Sequence, residues 1–273
     1  MDKKIFFIDF DQTLLCDDKS VSRRNKAALK EAVKAGHYVT LATGRAIASA
    51  KVLAEELELT GRGCFLIAYN GSLIYDFEND KVLGRNTLPV EYARYIYREA
   101  TREGLYIQGY DDNQVLACAK TKEMEFYCAR NRMQCVIAPD EESMFKTDPP
   151  KMLIINLDSH DRLVKFHNDH LEWENGKCKS FFSDPAYLEY CPLNTSKGTG
   201  LLFLESYLGL PHEATVAVGD EENDIPMIKE AFTGFAMKNA IPKAKEAADL
   251  ITENDNNHDA IAEIVEKMTG IKV

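Results

Sequence analysis

Two aspartates one residue apart, Asp9 and Asp11, stand in the segment Phe7-Ile8-Asp9-Phe10-Asp11-Gln12-Thr13-Leu14-Leu15, directly after the apolar run Ile5 to Ile8. Such a run reads as a short, fully buried strand of the kind found in the middle of a parallel sheet. Open α/β sheets take their ligands at the carboxyl ends of those strands. Bringing two carboxylates there is costly unless a cation neutralises them or one of them performs chemistry. One could then act as nucleophile and metal ligand while the other moves protons. Aspartate is also common at strand ends and helix caps, so the pair alone leaves the chemistry open.

Three further sets of residues follow in order. Leu41-Ala42-Thr43-Gly44-Arg45 comes after the apolar segment Tyr38 to Leu41 and before a helical pattern. Lys197-Gly198 lies within Asn194-Thr195-Ser196-Lys197-Gly198. Gly219-Asp220-Glu221-Glu222-Asn223-Asp224 follows the strand-like Ala214 to Val218. Together with Asp-x-Asp-x-Thr at positions 9 to 13, this ordered set resembles the haloacid dehalogenase superfamily of phosphoryl-transfer enzymes. The block between the second and third motifs, and the pieces Asn70-Gly71 and Lys238-Asn239-Ala240, resemble the Cof-type sugar-phosphate phosphatases with a class IIB cap. Gln12 departs from that pattern, because those relatives usually carry glycine there and glutamine has less backbone freedom.

The resemblance implies a mechanism. Asp9 would attack phosphorus and form an aspartyl-phosphate. Asp11 would protonate the leaving alcohol and then deprotonate the hydrolytic water. Thr43 would donate a hydroxyl and Lys197 a point charge to the phosphate oxygens, with Gly44, Arg45 and Asn70 also on the substrate side. Asp9, the backbone carbonyl of Asp11 and Asp220 would hold one Mg2+, a hard cation that prefers carboxylate oxygens, water and phosphate. Asn223 and Asp224 would support this shell and orient Lys197. Glu221 and Glu222 read as first-turn acids that favour a helix dipole.

The elements that must position these residues alternate as βαβα at both ends of the chain. This predicts an α/β fold with a doubly wound, mostly parallel, Rossmann-like core sheet. Ser22 is a plausible cap for a helix whose apolar side includes Leu29, Ala32 and Val33 and which ends near Gly36. Asn70-Gly71 reads as a turn dipeptide. Strand candidates at Leu105 to Gly109, Gln114 to Ala119, Met152 to Leu157 and Lys179 to Phe182 alternate with helices over Val90 to Arg102, Glu123 to Arg132 and Asp161 to Leu171. The expected organisation is a discontinuous catalytic core of residues 1–85 and 189–273 with an inserted α+β cap domain at 86–188.

Composition narrows the class. With 273 residues and 45% hydrophobic content the chain can bury a sizeable core. No segment reads as a signal peptide or a membrane span, so a cytoplasmic enzyme is expected. A net charge of -11 speaks against nucleic acid, because phosphate backbones select basic surfaces. It also means that a small phosphorylated metabolite must be captured by local cations. Oligomeric state is not legible. The seven cysteines, without close paired spacing, read as small hydrophobes in a reducing compartment.

His160, His167 and His170 share one side of a helix but lack the partners of a zinc site, so a solvated helix side is expected. Tyr92, Tyr95, Phe126 and Tyr127 read as cap core, and Asp111-Asp112-Asn113 as a hairpin turn. For function, a magnesium-dependent phosphatase of sugar phosphates leads. A phosphomutase of the phosphomannomutase type and a non-catalytic phospho-acceptor module are alternatives. A dinucleotide-binding dehydrogenase lacks its Gly-x-Gly-x-x-Gly after the first strand.

Overall fold

Strands covered on both faces need apolar side chains throughout, and the two ends of the chain supply them. The computed structural model describes residues 3–273. The N-terminal part forms strands β1 (Ile5–Asp9), β2 (Tyr38–Ala42), β3 (Cys64–Ala68), β4 (Leu73–Asp76) and β5 (Lys81–Arg85), with helices α1 (Arg23–Lys34) and α2 (Ile47–Leu57). The middle adds β6 (Tyr106–Tyr110), β7 (Gln114–Ala117), β8 (Gln134–Ile137), β9 (Met152–Ile155), β10 (Cys178–Asp184) and β11 (Tyr187–Pro192). Its helices are α3 (Val90–Arg102), α4 (Lys122–Asn131), α5 (Glu141–Met144) and α6 (His160–Glu174). The C-terminal part contributes β12 (Thr215–Gly219), β13 (Thr233–Ala236) and β14 (Leu250–Ile251), and α7 (Lys197–Leu208), α8 (Ile225–Glu230), α9 (Pro242–Ala247) and α10 (Ala260–Thr269).

Contacts divide the chain into two units. One comprises the residues up to Gly44, Ala50–Gly84 and the chain from Ser196 onward. The other comprises Arg45–Ser49 and Arg85–Thr195. The return to the core expected at residue 189 falls inside β11, which runs on to Pro192.

In the first unit the sheet order is β14-β13-β12-β1-β2-β3-β4-β5. It is parallel from β14 to β3 and antiparallel between β3 and β4. The chain steps one way from β1 to β3 and the other way from β12 to β14, so the direction reverses between β1 and β12. That reversal is the crevice where such sheets bind ligands. Ile5, Phe7, Ile67, Leu201, Leu204 and Met227 pack beneath it. The α1 cap is Ser22, whose side chain accepts from the Asn25 N–H, and Ala28, Leu29 and Ala32 are buried behind it. Between β3 and β4 the chain makes a short 3-10 turn in which Tyr69, Asn70 and Gly71 all have positive φ. The link is therefore longer and more contorted than the two-residue hairpin that Asn-Gly signals.

In the second unit the order is β10-β11-β9-β6-β7-β8, antiparallel except for the β7–β8 pair. Its core gathers Ile96, Ala100, Ile154, Leu163, Phe166 and Leu188. Asp111 caps the β6–β7 hairpin by accepting from the N–H groups of Asn113 and Gln114. Tyr92 and Tyr95 pack on this core and Tyr127 is buried, whereas Phe126 is exposed.

Two expectations need correction. Cys128 and Cys135 form a disulfide between α4 and β8, with Cα atoms 6.7 Å apart; the left-handed Arg132 folds the chain back between them. The other five cysteines are free. His170 is buried instead of solvated: it stacks on Phe166 and its Nδ1 bonds the Phe166 carbonyl. His160 and His167 both lie against Phe182, so aromatic packing accounts for the histidine stripe. Among the described residues no helix is long and apolar enough to cross a membrane.

Candidate active site

The site is assembled where four strand or helix ends of the first unit converge. At the end of β1, Asp9 is buried, and the chain then turns through Phe10–Leu15. Leu14 N–H bonds the Asp9 carbonyl at 3.2 Å and Leu15 N–H the Phe10 carbonyl at 2.8 Å. Phe10, Thr13, Leu14 and Leu15 anchor this turn by full burial. Gln12 adopts φ 62° at its apex, a left-handed conformation that favours glycine. Glutamine here adopts a backbone that glycine would take more readily.

Lys197 opens α7 behind the Ser196 cap, which forms a capping box with Thr199. Its side chain is fully buried, and its ammonium bonds Asp9 Oδ1 and, at 2.6 Å, Asp224 Oδ1. The other Asp224 oxygen accepts from the backbone N–H groups of Asp220 (2.9 Å) and Glu221 (3.0 Å). Gly219 is required for this approach, because a Cβ there would sit 2.3 Å from the Asp224 side chain. Asp224 is thus spent on holding Lys197 and the turn after β12. Asp220 Oδ1 accepts from the Thr13 hydroxyl at 2.7 Å. Carboxylate oxygens of Asp9, Asp220 and Asp224 all lie within 4.8 Å of one another.

The electrostatics of this cluster are unbalanced. Burial, followed by the charge of Asp224, pushes the Asp9 carboxyl well above the usual range, with Lys197 opposing. The same two causes raise Asp220 to about 7. Burial works against the Lys197 ammonium, yet Asp224 and Asp9 outweigh it and hold it above its ordinary value. Three carboxylates face one ammonium. An all-oxygen set with this surplus of negative charge fits a hard divalent ion such as Mg2+.

On the β2 side, Thr43 is buried, its N–H bonding the Ile67 carbonyl and its carbonyl accepting from the Asn70 N–H. Gly44 lies against the Asn70 amide, which a Cβ at that position would meet at 3.1 Å. Asn70 Oδ1 accepts from Asn223 Nδ2 at 3.0 Å, while its own Nδ2, though buried, has no partner. The structure thereby brings together Asp9, Lys197, Asp220 and Asp224, and links Thr43, Gly44, Asn70 and Asn223. Arg45 belongs to the second unit, in the neighbourhood of Tyr127, where Lys151 also acts. Glu221 precedes the short 3-10 turn Glu222–Asp224, and Glu222 pairs with Lys243 on the surface.

Three participants carry no role in the sequence reading. Thr13 belongs to the first motif, which was the available signal. Lys19 bonds Asp11 Oδ1 at 3.0 Å, and nothing in its spacing announces this. Asn239 donates to the Gln12 carbonyl at 2.7 Å, and its signal was the Lys-Asn-Ala piece.

Comparison with known proteins places this geometry. Residues 6–265 match the family of haloacid dehalogenase-like hydrolases. A 5-amino-6-(5-phospho-D-ribitylamino)uracil phosphatase of Bacillus subtilis is 32% identical, over 97% of this chain and 95% of its own. The crystal structure of a haloacid dehalogenase-like hydrolase from Bacteroides thetaiotaomicron superposes with a TM-score of 0.91 at 30% identity, covering 97% of this chain and 99% of the other. A Thermotoga maritima protein gives 0.87 at 30% identity, covering 97% of each. With its parallel core sheet, inserted α+β unit and ordered motifs, the chain belongs to the haloacid dehalogenase-like hydrolases, among their Cof-type phosphatases.

Proposed function

We propose that the protein hydrolyses small phosphate monoesters, sugar or polyol phosphates foremost, through an aspartyl-phosphate on Asp9. The observation that carries this reading is the buried Lys197 bridge between Asp9 and Asp224 beside Asp220. It fixes a carboxylate nucleophile next to a cation for phosphate oxygens, which is what phosphoryl transfer demands.

In the first half, an Asp9 carboxylate oxygen forms a bond to phosphorus as the ester P–O bond breaks. The departing oxygen takes a proton from Asp11. In the second half, Asp11 removes a proton from water, the water oxygen bonds phosphorus, and the Asp9–phosphorus linkage breaks to give inorganic phosphate. Lys197 offsets charge on the non-bridging oxygens, with the Thr43 hydroxyl and Gly44 beside them. The unspent Asn70 Nδ2 supplies one further donor, and Asn223 fixes the face that the amide presents. Mg2+, held by Asp9, Asp220 and, as the resemblance implies, the Asp11 carbonyl, would neutralise the carboxylates and the phosphate. Arg45 is assigned to the substrate side on the resemblance. The inserted unit is assigned as the cap, and the ribityl phosphate in the Bacillus relative's name motivates the polyol class.

The test is a panel of p-nitrophenyl phosphate, hexose and pentose phosphates and ribityl phosphates with Mg2+, scored for inorganic phosphate. Phosphate release abolished by Asp9→Asn supports the reading. Release unaffected by that substitution overturns it. Accumulation of an isomeric phosphosugar identifies a mutase, and a stable phospho-Asp9 without turnover identifies an acceptor module.

A further inference from the structure

Gln12 sits between the proposed acid, Asp11, and Thr13, which holds Asp220. Its left-handed backbone is uncommon for a residue with a side chain. If φ relaxed to negative values, the peptide planes on either side would rotate and carry Asp11 and Thr13 with them. Something must hold the apex, and the structure shows what does. Asn239 Nδ2 donates to the Gln12 carbonyl at 2.7 Å. Asn239 Oδ1 in turn accepts from the Asn256 N–H at 3.2 Å. Asn256 is buried, and its amide donates to the Leu15 carbonyl and to Asp17, each at 3.1 Å, with a longer contact of 3.5 Å to Gln12 Oε1. The loop carrying Asn239 is itself pinned beside the site, since Ile241 N–H bonds the Asp220 carbonyl at 3.0 Å.

We propose that Asn239, backed by Asn256, is a positioning residue that keeps Asp11 aligned for leaving-group protonation by clamping the Gln12 carbonyl. The inference rests on the phosphatase reading and goes beyond it by assigning a task to residues outside the phosphate and metal sites. Asn239 is exposed, so replacing it disturbs the clamp without opening the core. A fault in alignment of the acid has a signature that a general loss of structure lacks. p-Nitrophenolate departs readily without a proton, whereas phenolate departs far better with one. Loss of general acid catalysis therefore falls on phenyl phosphate.

The experiment compares kcat and KM for p-nitrophenyl phosphate and phenyl phosphate, with Mg2+, in the wild-type protein and in Asn239→Ala, Asn239→Asp and Asp11→Asn. Asn239→Asp keeps the shape and the acceptor for Asn256 but places an acceptor against the Gln12 carbonyl. For both Asn239 variants kcat/KM on phenyl phosphate should fall about tenfold more than on p-nitrophenyl phosphate, in the direction of the larger Asp11→Asn effect. The reason is that kcat/KM reports the step in which the leaving group departs, whereas kcat also contains the hydrolysis of the phospho-Asp9 common to both esters. Equal losses of kcat/KM on both esters, or no loss, overturns the clamp while leaving the phosphatase reading intact. An Asp11→Asn variant without leaving-group dependence overturns the acid assignment and the clamp with it. A wild-type protein that turns over neither ester overturns the phosphatase reading itself.

Discussion

The Thr13 hydroxyl donates to Asp220 Oδ1 at 2.7 Å, joining the turn after the first strand to the carboxylate after β12. It leaves Asp220 one oxygen free of this bond and fixes where that oxygen points. Outer partners of metal-binding carboxylates usually matter nearly as much as the ligands. Thr13→Val, which keeps shape in a fully buried position, should weaken apparent Mg2+ affinity about 10- to 100-fold. A Mg2+ titration of turnover measures this, and an unchanged half-saturation point would remove Asp220 from the metal shell.

Lys197 is the counter-charge for two buried carboxylates. Lys197→Met should abolish turnover and destabilise the fold by about 3–5 kcal/mol, the usual cost of leaving a buried charge unpaired. Urea unfolding in the presence of a chelator gives the number. A variant as stable as the wild type would mean that Asp9 and Asp224 are not charged together in the folded protein.

Chelation provides a separate check. Three carboxylates against one ammonium make the site more stable when a divalent ion is bound, by mass action. Adding Mg2+ to chelator-treated protein should raise the melting temperature, and Asp220→Asn should lose that rise. A rise of equal size in the variant would place the ion elsewhere.

The pH dependence of stability should show His37. Its Nδ1 accepts from the Lys4 N–H at 3.0 Å, and burial, then the Lys4 charge, lowers its pKa below the ordinary value. The unfolded chain therefore binds this proton more readily than the folded one. Stability contributed by the neutral ring is present above the ordinary histidine range and is lost as pH falls through it. His37→Gln should flatten the difference in unfolding free energy between about pH 7.5 and pH 5.5. Parallel slopes in the two proteins would rule the residue out.

Much of this arrangement is legible in the sequence because it is written in short-range patterns. Ser22 caps α1 through a bond three residues away, and Val90–Arg102 shows its apolar face at helical spacing. The residues brought together at Asp9, Lys197, Asp220 and Asp224 stand directly beside strand or helix ends, where periodicity stops and a motif begins. What escapes is side-chain pairing between loops. Lys19 with Asp11, Asn239 with Gln12, and Cys128 with Cys135 obey no period, since each depends on where two turns happen to meet. β8 and β11 also escaped: β8 is a short edge strand that is largely exposed, and β11 is buried throughout, so it shows no alternation of apolar and polar residues.

The disulfide offers a further check on the inserted unit. It closes a short loop, with a sequence separation of 7. By chain entropy its loss should cost about 2 kcal/mol. Melting with and without dithiothreitol, in the wild type and in Cys128→Ser, should show a reductant-dependent drop in the wild type only.

The parallel pairing of Ile5 with Thr215 has a consequence for biosynthesis. A ribosome delivers β1 almost at once but must translate the whole intervening unit before β12 emerges to lie beside it. Until then one flank of the N-terminal strand has no hydrogen-bonding neighbour, and its aromatic side chains wait for cover. The stretch from Arg85 to Thr195 is unbroken in sequence, is under no such delay and can mature first.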